Sequence, residues 1–228
     1  MTATSSSAPV FEHFFRMVLV GDSMVGKSSF LRQFRQKTFT FEHKPTESAD
    51  FALKVIQSDN ALVKIQLWDT SDSLRYGRLT QSYFSNVLGM AMGVFVMFDL
   101  TVKKTYDNTD RWLETIMHLS SSDVVIGLIG TKADLDNKRQ VDKESAENLA
   151  KGLGLEYYEV SSKDSENVEQ IVSAMAAKIL DGSQREKSAA ISRTAIASAV
   201  PRSEGISSLV NLNGSNPKEH QKSCCKTQ

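Results

Sequence analysis

A glycine-rich segment that ends in lysine and serine carries the clearest chemical signal in the sequence. Residues 21–28 read Gly-Asp-Ser-Met-Val-Gly-Lys-Ser and match G-x-x-x-x-G-K-[ST] at every fixed position. In this pattern the backbone N–H groups of the loop, together with the start of the following helix, bind phosphate groups. Lys27 is expected to reach the β- and γ-phosphates of a nucleotide, and Ser28 to coordinate Mg²⁺. We call residues 21–28 the phosphate loop.

Asp69 is the acidic residue that would complete a magnesium site. It follows an apolar stretch at residues 62–68, in the context Trp68-Asp69-Thr70. A carboxylate in this position can hold Mg²⁺, here through water. An Asp after a strand is also a common helix cap, but its distance from the phosphate loop and its neighbours favour the metal site.

Two later segments predict which base is bound. Thr131-Lys132-Ala133-Asp134 follows an apolar run that ends at Gly130. The Asp134 carboxylate can accept two hydrogen bonds from guanine, from its ring N–H and its amino group, whereas adenine offers no such pair. The Lys132 stem would cover one face of the base. Residues 161–163, Ser-Ser-Lys, could donate a backbone N–H to the base carbonyl. We call residues 131–134 and 161–163 the base segments.

Alternating apolar and amphipathic stretches indicate the elements that must position these residues. Strands are predicted at residues 14–20, 51–57, 62–68, 93–98, 124–129 and 157–160, and helices at 27–37, 107–119, 143–153 and 168–180. Residues 58–60 are predicted to turn a hairpin. The order of elements predicts an α/β fold, in which a mostly parallel sheet with one antiparallel hairpin strand has helices on both faces. Ligands then bind where the strands end, which is where the motifs lie.

Length and composition set the domain organisation. The chain has 228 residues, 40% of them hydrophobic, with 27 basic and 27 acidic residues. One domain is expected at residues 13–181, after a flexible segment at 1–12. Residues 181–228 contain nine Ser and no aromatic residue, so 182–228 are expected to form a disordered tether.

Charge and hydropathy exclude several classes of protein. The balanced charge argues against a nucleic-acid partner bound through a broad basic face. The longest apolar run, residues 87–98, is twelve residues, shorter than the roughly 18 of a membrane span. The first thirteen residues carry no Lys or Arg, so no secretory signal is expected.

From residue 14 to 180 the chain resembles a small GTPase of the Ras superfamily, and within it the Rab branch. The matching stretches are residues 21–28, 46–51, 68–70, 131–134, 159–163 and the paired cysteines Cys224 and Cys225. The resemblance implies a P-loop GTPase domain that binds GTP or GDP with Mg²⁺ and acts as a membrane switch in vesicle traffic. It adds Thr46, in the first switch, as a third magnesium ligand beside Ser28 and Asp69.

The resemblance also implies contacts and partners. The nucleotide contacts expected are Gly21, Asp22, Ser23, Met24, Val25, Gly26, Lys27, Ser28, Ser29, Thr131, Lys132, Asp134, Ser161, Ser162 and Lys163. A guanine nucleotide exchange factor and effectors are expected to bind the switch regions through Phe51, Trp68 and Tyr83, although core packing is an equal alternative for Trp68. The protein is expected to act as a monomer.

The second switch departs from the family signature Asp-x-x-Gly-Gln, because here it reads Asp69-Thr70-Ser71-Asp72-Ser73. Ser73 replaces the glutamine that orients the attacking water, and its hydroxyl is too short to reach that water. Asp72 replaces the glycine that binds the γ-phosphate. A carboxylate ~4 Å from a phosphate charge costs about 4 kcal/mol at an effective dielectric of ~20. The catalytic positions are therefore Lys27, Thr46 and the substituted Asp72 and Ser73, and weak GTP hydrolysis is expected.

Two further departures concern the nucleotide loops. Thr131 replaces an asparagine that ties the base segment to the phosphate loop, so a hydrogen bond worth roughly 0.5–1.5 kcal/mol is expected to be lost and nucleotide affinity to fall. Met24 stands where the phosphate loop usually has a small residue, so its side chain is expected to point outward.

The end of the chain predicts a lipid anchor. Cys225 is fourth from the end with Cys224 before it, but Lys226 and Thr227 do not fit a C-a-a-X box. The pair resembles the Rab ending in which both cysteines are geranylgeranylated, and unmodified thiols are the alternative. Two lipid chains give stable anchoring, so the expected location is the cytosolic face of an intracellular or plasma membrane.

Two other functions remain open from the sequence. One is a non-switching prenylated adaptor that keeps nucleotide as a structural ligand or has lost it, which the altered second switch favours. The other is a small-molecule kinase with a phosphate loop, although an Arg-rich lid is not evident in the sequence.

Overall fold

The computed structural model describes residues 11–40, 50–58, 61–70, 85–165 and 167–199, with backbone only for 184–199. The predictions for Thr46, Asp72, Ser73, Tyr83 and the two cysteines therefore lie outside the described residues. Within these ranges six strands form one sheet. They are β1 (His13–Gly21), β2 (Asp50–Ser58), β3 (Ala61–Asp69), β4 (Gly93–Asp99), β5 (Val125–Thr131) and β6 (Glu156–Val160).

The sheet has the strand order β2-β3-β1-β4-β5-β6. Strand β2 is antiparallel to β3, and the remaining neighbours pair in parallel. This confirms the predicted α/β fold with one antiparallel hairpin strand. Because five strands run in one direction, their carboxyl ends meet at a single edge. Gly21, Asp69, Asp99, Thr131 and Val160 end strands there.

Helices pack on both faces of the sheet. They are α1 (Lys27–Gln36), α2 (Lys103–Asp107), α3 (Thr109–Leu119), α4 (Lys143–Leu153) and α5 (Val168–Ala199). One apolar cluster joins a sheet face to α1 and α5, and a second joins the other face to α3 and α4. Every residue of β4 is buried, which explains its uninterrupted apolar sequence. The single helix predicted at residues 107–119 is instead the pair α2 and α3, which meet at Asn108.

Helix α5 extends beyond its predicted end. It was expected to stop at Leu180 but continues to Ala199, so the segment predicted as a disordered tether begins with helical backbone. Residues 189–199 contain five alanines, and alanine is the strongest helix former. The chain divides into two compact units, Met1–Lys187 and Ser188–Gln228. None of the helices among the described residues is long and apolar enough to cross a membrane.

Candidate functional site

Two glycines shape the phosphate loop. Gly21 ends β1 with φ +145°, and a Cβ there would lie 2.2 Å from the carbonyl oxygen of Met97, so no other residue fits against β4. Gly26 has φ +102°, a conformation that L side chains rarely adopt, and its carbonyl accepts the first helical hydrogen bond, from Phe30 N–H. The chain therefore turns directly from the edge of the sheet into α1.

Lys27 lies across the phosphate loop. Its Nζ donates to the carbonyl oxygens of Gly21 at 2.8 Å and Asp22 at 2.7 Å, and the residue is buried. The amino end of α1 adds positive potential at the same place. Met24 is 57% exposed, so its side chain points outward as predicted. A buried ammonium, a helix start and a tight loop together suit an anion such as a nucleotide phosphate.

Ser28 and Asp69 form the core of the predicted metal site. The Ser28 hydroxyl donates to Asp69 Oδ2 at 2.6 Å, and Thr70, whose hydroxyl donates to Leu19 O at 2.6 Å, fixes the end of β3 against β1. Asp69 Oδ1 is buried and has no hydrogen-bond partner among the described residues. Burial raises the pKa of Asp69, opposed by the Ser28 hydrogen bond and the charge of Lys27.

This donor set fits Mg²⁺. Carboxylate and hydroxyl oxygens are the ligands it prefers, and Mg²⁺ is commonly bound through one or two protein groups plus substrate phosphates. A cation next to the unpartnered Oδ1 would also hold Asp69 ionised against the cost of burial. The described residues contain no group of three or more His, Cys, Asp or Glu able to hold a metal.

The structure brings the two base segments together. Ser161 Oγ donates to Asp134 Oδ1 at 3.0 Å, and Lys163 Nζ lies 3.8 Å from Asp134 Oδ2. The Asp134 side chain is only 11% exposed. Each carboxylate oxygen has two lone pairs, so Asp134 keeps the capacity to accept two parallel N–H groups from a base. Its orientation is thus fixed before a ligand arrives.

Lys132 has a partner that the sequence did not reveal. Its backbone is left-handed at φ 62°, and its Nζ lies 2.6 Å from Oδ2 of the buried Asp99. The other Asp99 oxygen accepts from the Thr101 N–H and hydroxyl at 2.8 and 2.7 Å. Asp99 ends β4, between the phosphate loop and the base segments, so the rule that ligands bind at strand ends could have identified it.

Thr131 connects the base segment to the phosphate loop, although this hydrogen bond was expected to be lost. Its buried hydroxyl donates to the carbonyl oxygen of Val25, in the phosphate loop, at 2.6 Å and lies 2.8 Å from the carbonyl oxygen of Phe98. The threonine reaches because β5 places it directly beneath the loop, where a short side chain suffices. The hydrogen bond to the phosphate loop that was expected to be lost is therefore present.

An ion pair braces the second base segment. Arg139 donates to both oxygens of Glu159 at 2.9 Å, and the Tyr157 hydroxyl donates to Glu159 Oε1 at 2.8 Å. Burial raises the pKa of Glu159, but hydrogen bonds from Arg139 and Tyr157 outweigh it and hold the pKa below its usual value. Glu159 stands two residues before Ser161, so the Arg139–Glu159 ion pair holds the end of β6, which carries this segment.

The predicted partner surface is partly apolar. The Phe51 and Trp68 rings lie 4.8 Å apart between their centroids, and Phe51 is 40% exposed. Trp68 is half-buried and packs against the core cluster beneath it, so it serves the core as well as the surface. Leu53, on the same face of β2 as Phe51, is 50% exposed.

The fold and this edge of the sheet define a phosphate-loop protein, the class to which the small GTPases belong. A model of the Ras family matches residues 16–181. The Ras-related protein RABA2d of Arabidopsis thaliana is 33% identical over 217 residues, which cover 95% of this chain and 96% of that protein. The chain belongs to the Ras family and is a Rab-like small GTPase. Members of this family bind GTP or GDP together with Mg²⁺.

Proposed function

We propose that this protein is a guanine-nucleotide-dependent membrane switch of the Rab type that acts in vesicle traffic and hydrolyses GTP weakly. The observation that carries the proposal is the placement of Asp134, held by Ser161, at the same sheet edge as the Lys27 loop and the Asp69 oxygen that has no partner among the described residues. One nucleotide could contact all three. The proposed partners are an exchange factor and effectors, and the exposed Phe51 supports a role for this surface.

Different residues of the chain have different roles in nucleotide binding and hydrolysis. Lys27 stabilises negative charge on the β- and γ-phosphates, and the loop N–H groups orient them. Ser28 and Asp69 would hold Mg²⁺, with Thr46 proposed from the sequence as a further ligand. Mg²⁺, when bound, would neutralise part of the negative charge of the phosphates. The reaction is in-line attack of water on the γ-phosphate. Because Ser73 and Asp72 replace glutamine and glycine, the step that orients the water is expected to be weak.

Protein purified without added nucleotide is expected to carry about one guanine nucleotide per chain, because a phosphate and base site of this kind releases its ligand slowly. Denaturation followed by chromatography measures this content. Lys27→Ala is the matched variant that should lose it. A wild-type site that is empty and also ignores added GTP would leave the adaptor, which the altered second switch favours, as the better account.

We also propose that Cys224 and Cys225 are both prenylated. Removing one thiol leaves at most one lipid chain, whose membrane binding is marginal and reversible. Residues 181–228 hold seven basic and four acidic residues, a net +3. That charge is too small to retain the protein at physiological salt, where screening acts within ~8 Å.

Cell fractionation of Cys224→Ser, Cys225→Ser and the double variant tests the anchor. The single variants are expected to shift partly to the cytosol and the double variant wholly, while Ser223→Ala, the adjacent control, stays on membranes. A double variant that remained membrane-bound would replace the lipid anchor with recruitment by a protein.

A further inference from the structure

The side chain of Asp22 points away from the interior of the phosphate loop. Its Oδ2 accepts from Asn108 Nδ2 at 2.6 Å, and its Oδ1 accepts from Trp112 Nε1 at 2.9 Å. Both carboxylate oxygens therefore bind groups from the corner between α2 and α3. The backbone carbonyl of Asp22 also accepts a hydrogen bond, from Lys27 Nζ. One residue thus links the loop lysine to the helices.

The two donors stand on rigid elements. Asn108 joins α2 to α3, and its backbone N–H bonds the Lys104 carbonyl at 3.1 Å. Trp112 lies one helical turn later on α3, is 8% exposed and packs into the second core cluster. Residues four apart share a helix face, so both donors approach the carboxylate from the same side. The position of the Asp22 carboxylate is set by the core.

A carboxylate in a phosphate-binding loop is electrostatically unfavourable. Like charges a few ångströms apart repel strongly where water is partly excluded, and a free Asp22 side chain could rotate towards the phosphates. Two hydrogen bonds to the ionised group are strong ones. They hold the charge on the helical side of the loop and let the backbone N–H groups face the ligand.

We propose that Asn108 and Trp112 are positioning residues for nucleotide binding, because their hydrogen bonds hold the Asp22 carboxylate away from the bound phosphates. This inference rests on the proposed function, in that it concerns the same nucleotide. It predicts the direction of two changes in nucleotide binding. Removing the donors should weaken nucleotide binding, and neutralising Asp22 in that background should restore it.

The test measures the rate of GDP release from the full chain loaded with a fluorescent GDP analogue. Asn108→Ala combined with Trp112→Phe is expected to release it about tenfold faster than wild type, because a freed charge now faces the phosphates. Adding Asp22→Asn, which keeps the shape and removes the charge, is expected to bring the rate back to within about twofold of wild type. Thr115→Ala, elsewhere on α3, is the control and should not change the rate.

A purely structural role of this helix corner gives a different pattern. It predicts that the triple variant releases the analogue as fast as the double variant or faster, and that result would overturn the inference. Unchanged release in the double variant would do the same. If the double variant does not fold, Trp112→Phe alone, with and without Asp22→Asn, provides the same comparison with a smaller effect. Wild-type protein that binds no guanine nucleotide would overturn both this inference and the proposed function.

Discussion

Asp134→Asn is expected to lower the affinity for GDP by about 100-fold or more, because two charge-assisted hydrogen bonds to guanine are replaced by one neutral bond and one opposed N–H pair. The same variant should gain affinity for xanthosine diphosphate. Xanthine carries a carbonyl where guanine has its amino group, and the new amide can donate to it. Equilibrium competition against a fluorescent GDP analogue measures both changes.

The structure offers a close control for this substitution. Asp136 lies two residues away in the same 3₁₀ helix, Ala133–Lys138, and its side chain is 81% exposed beside Arg139. Asp136→Asn makes the same change in charge but should leave base preference unchanged, because its carboxylate faces solvent. If Asp134→Asn kept its guanine affinity, the base would have to lie away from Asp134, and the assignment of the base segments would be wrong.

The fold could be predicted from the sequence because its signals are local. Continuous apolar runs such as the one in β4 indicated strands buried on both faces, and α4 begins and ends at the predicted residues 143 and 153. The motifs that contain Lys27, Asp69 and Asp134 were predicted to follow strands, and the parallel sheet brings the ends of those strands together. The prediction failed at the end of α5, which was expected at Leu180 and lies at Ala199.

The supporting contacts could not be predicted because they depend on topology. Asp22 meets Asn108 and Trp112, which lie 86 and 90 residues further along the chain, and no spacing rule connects them. Thr131 shows a second kind of failure. A substitution judged by residue type seemed to remove a bond to the phosphate loop, yet the strand holds the hydroxyl 2.6 Å from its acceptor. Side-chain reach depends on the backbone position, which the sequence does not show.

GTP hydrolysis is expected to be slow in the wild type and to rise about tenfold to 100-fold when Asp72→Gly and Ser73→Gln are combined. The glutamine returns an amide long enough to orient the attacking water. The glycine removes a carboxylate that would repel the γ-phosphate. Each change alone should raise the rate less, because orienting the water has little effect while the Asp72 carboxylate still repels the γ-phosphate. Single-turnover measurement of phosphate release from the GTP-loaded protein reports the rate of this step.

Two further variants separate this effect from a general one. Ser71→Gln in place of Ser73→Gln, beside Asp72→Gly, supplies the same amide two residues earlier and should give no comparable gain, because the water lies at one fixed direction from the γ-phosphate. Lys27→Ala added to the combined variant should abolish the gain, because a chain without Lys27 does not retain the GTP that is hydrolysed. A wild-type rate equal to that of ordinary Rab proteins would contradict the prediction and show that this chain orients the water without Ser73.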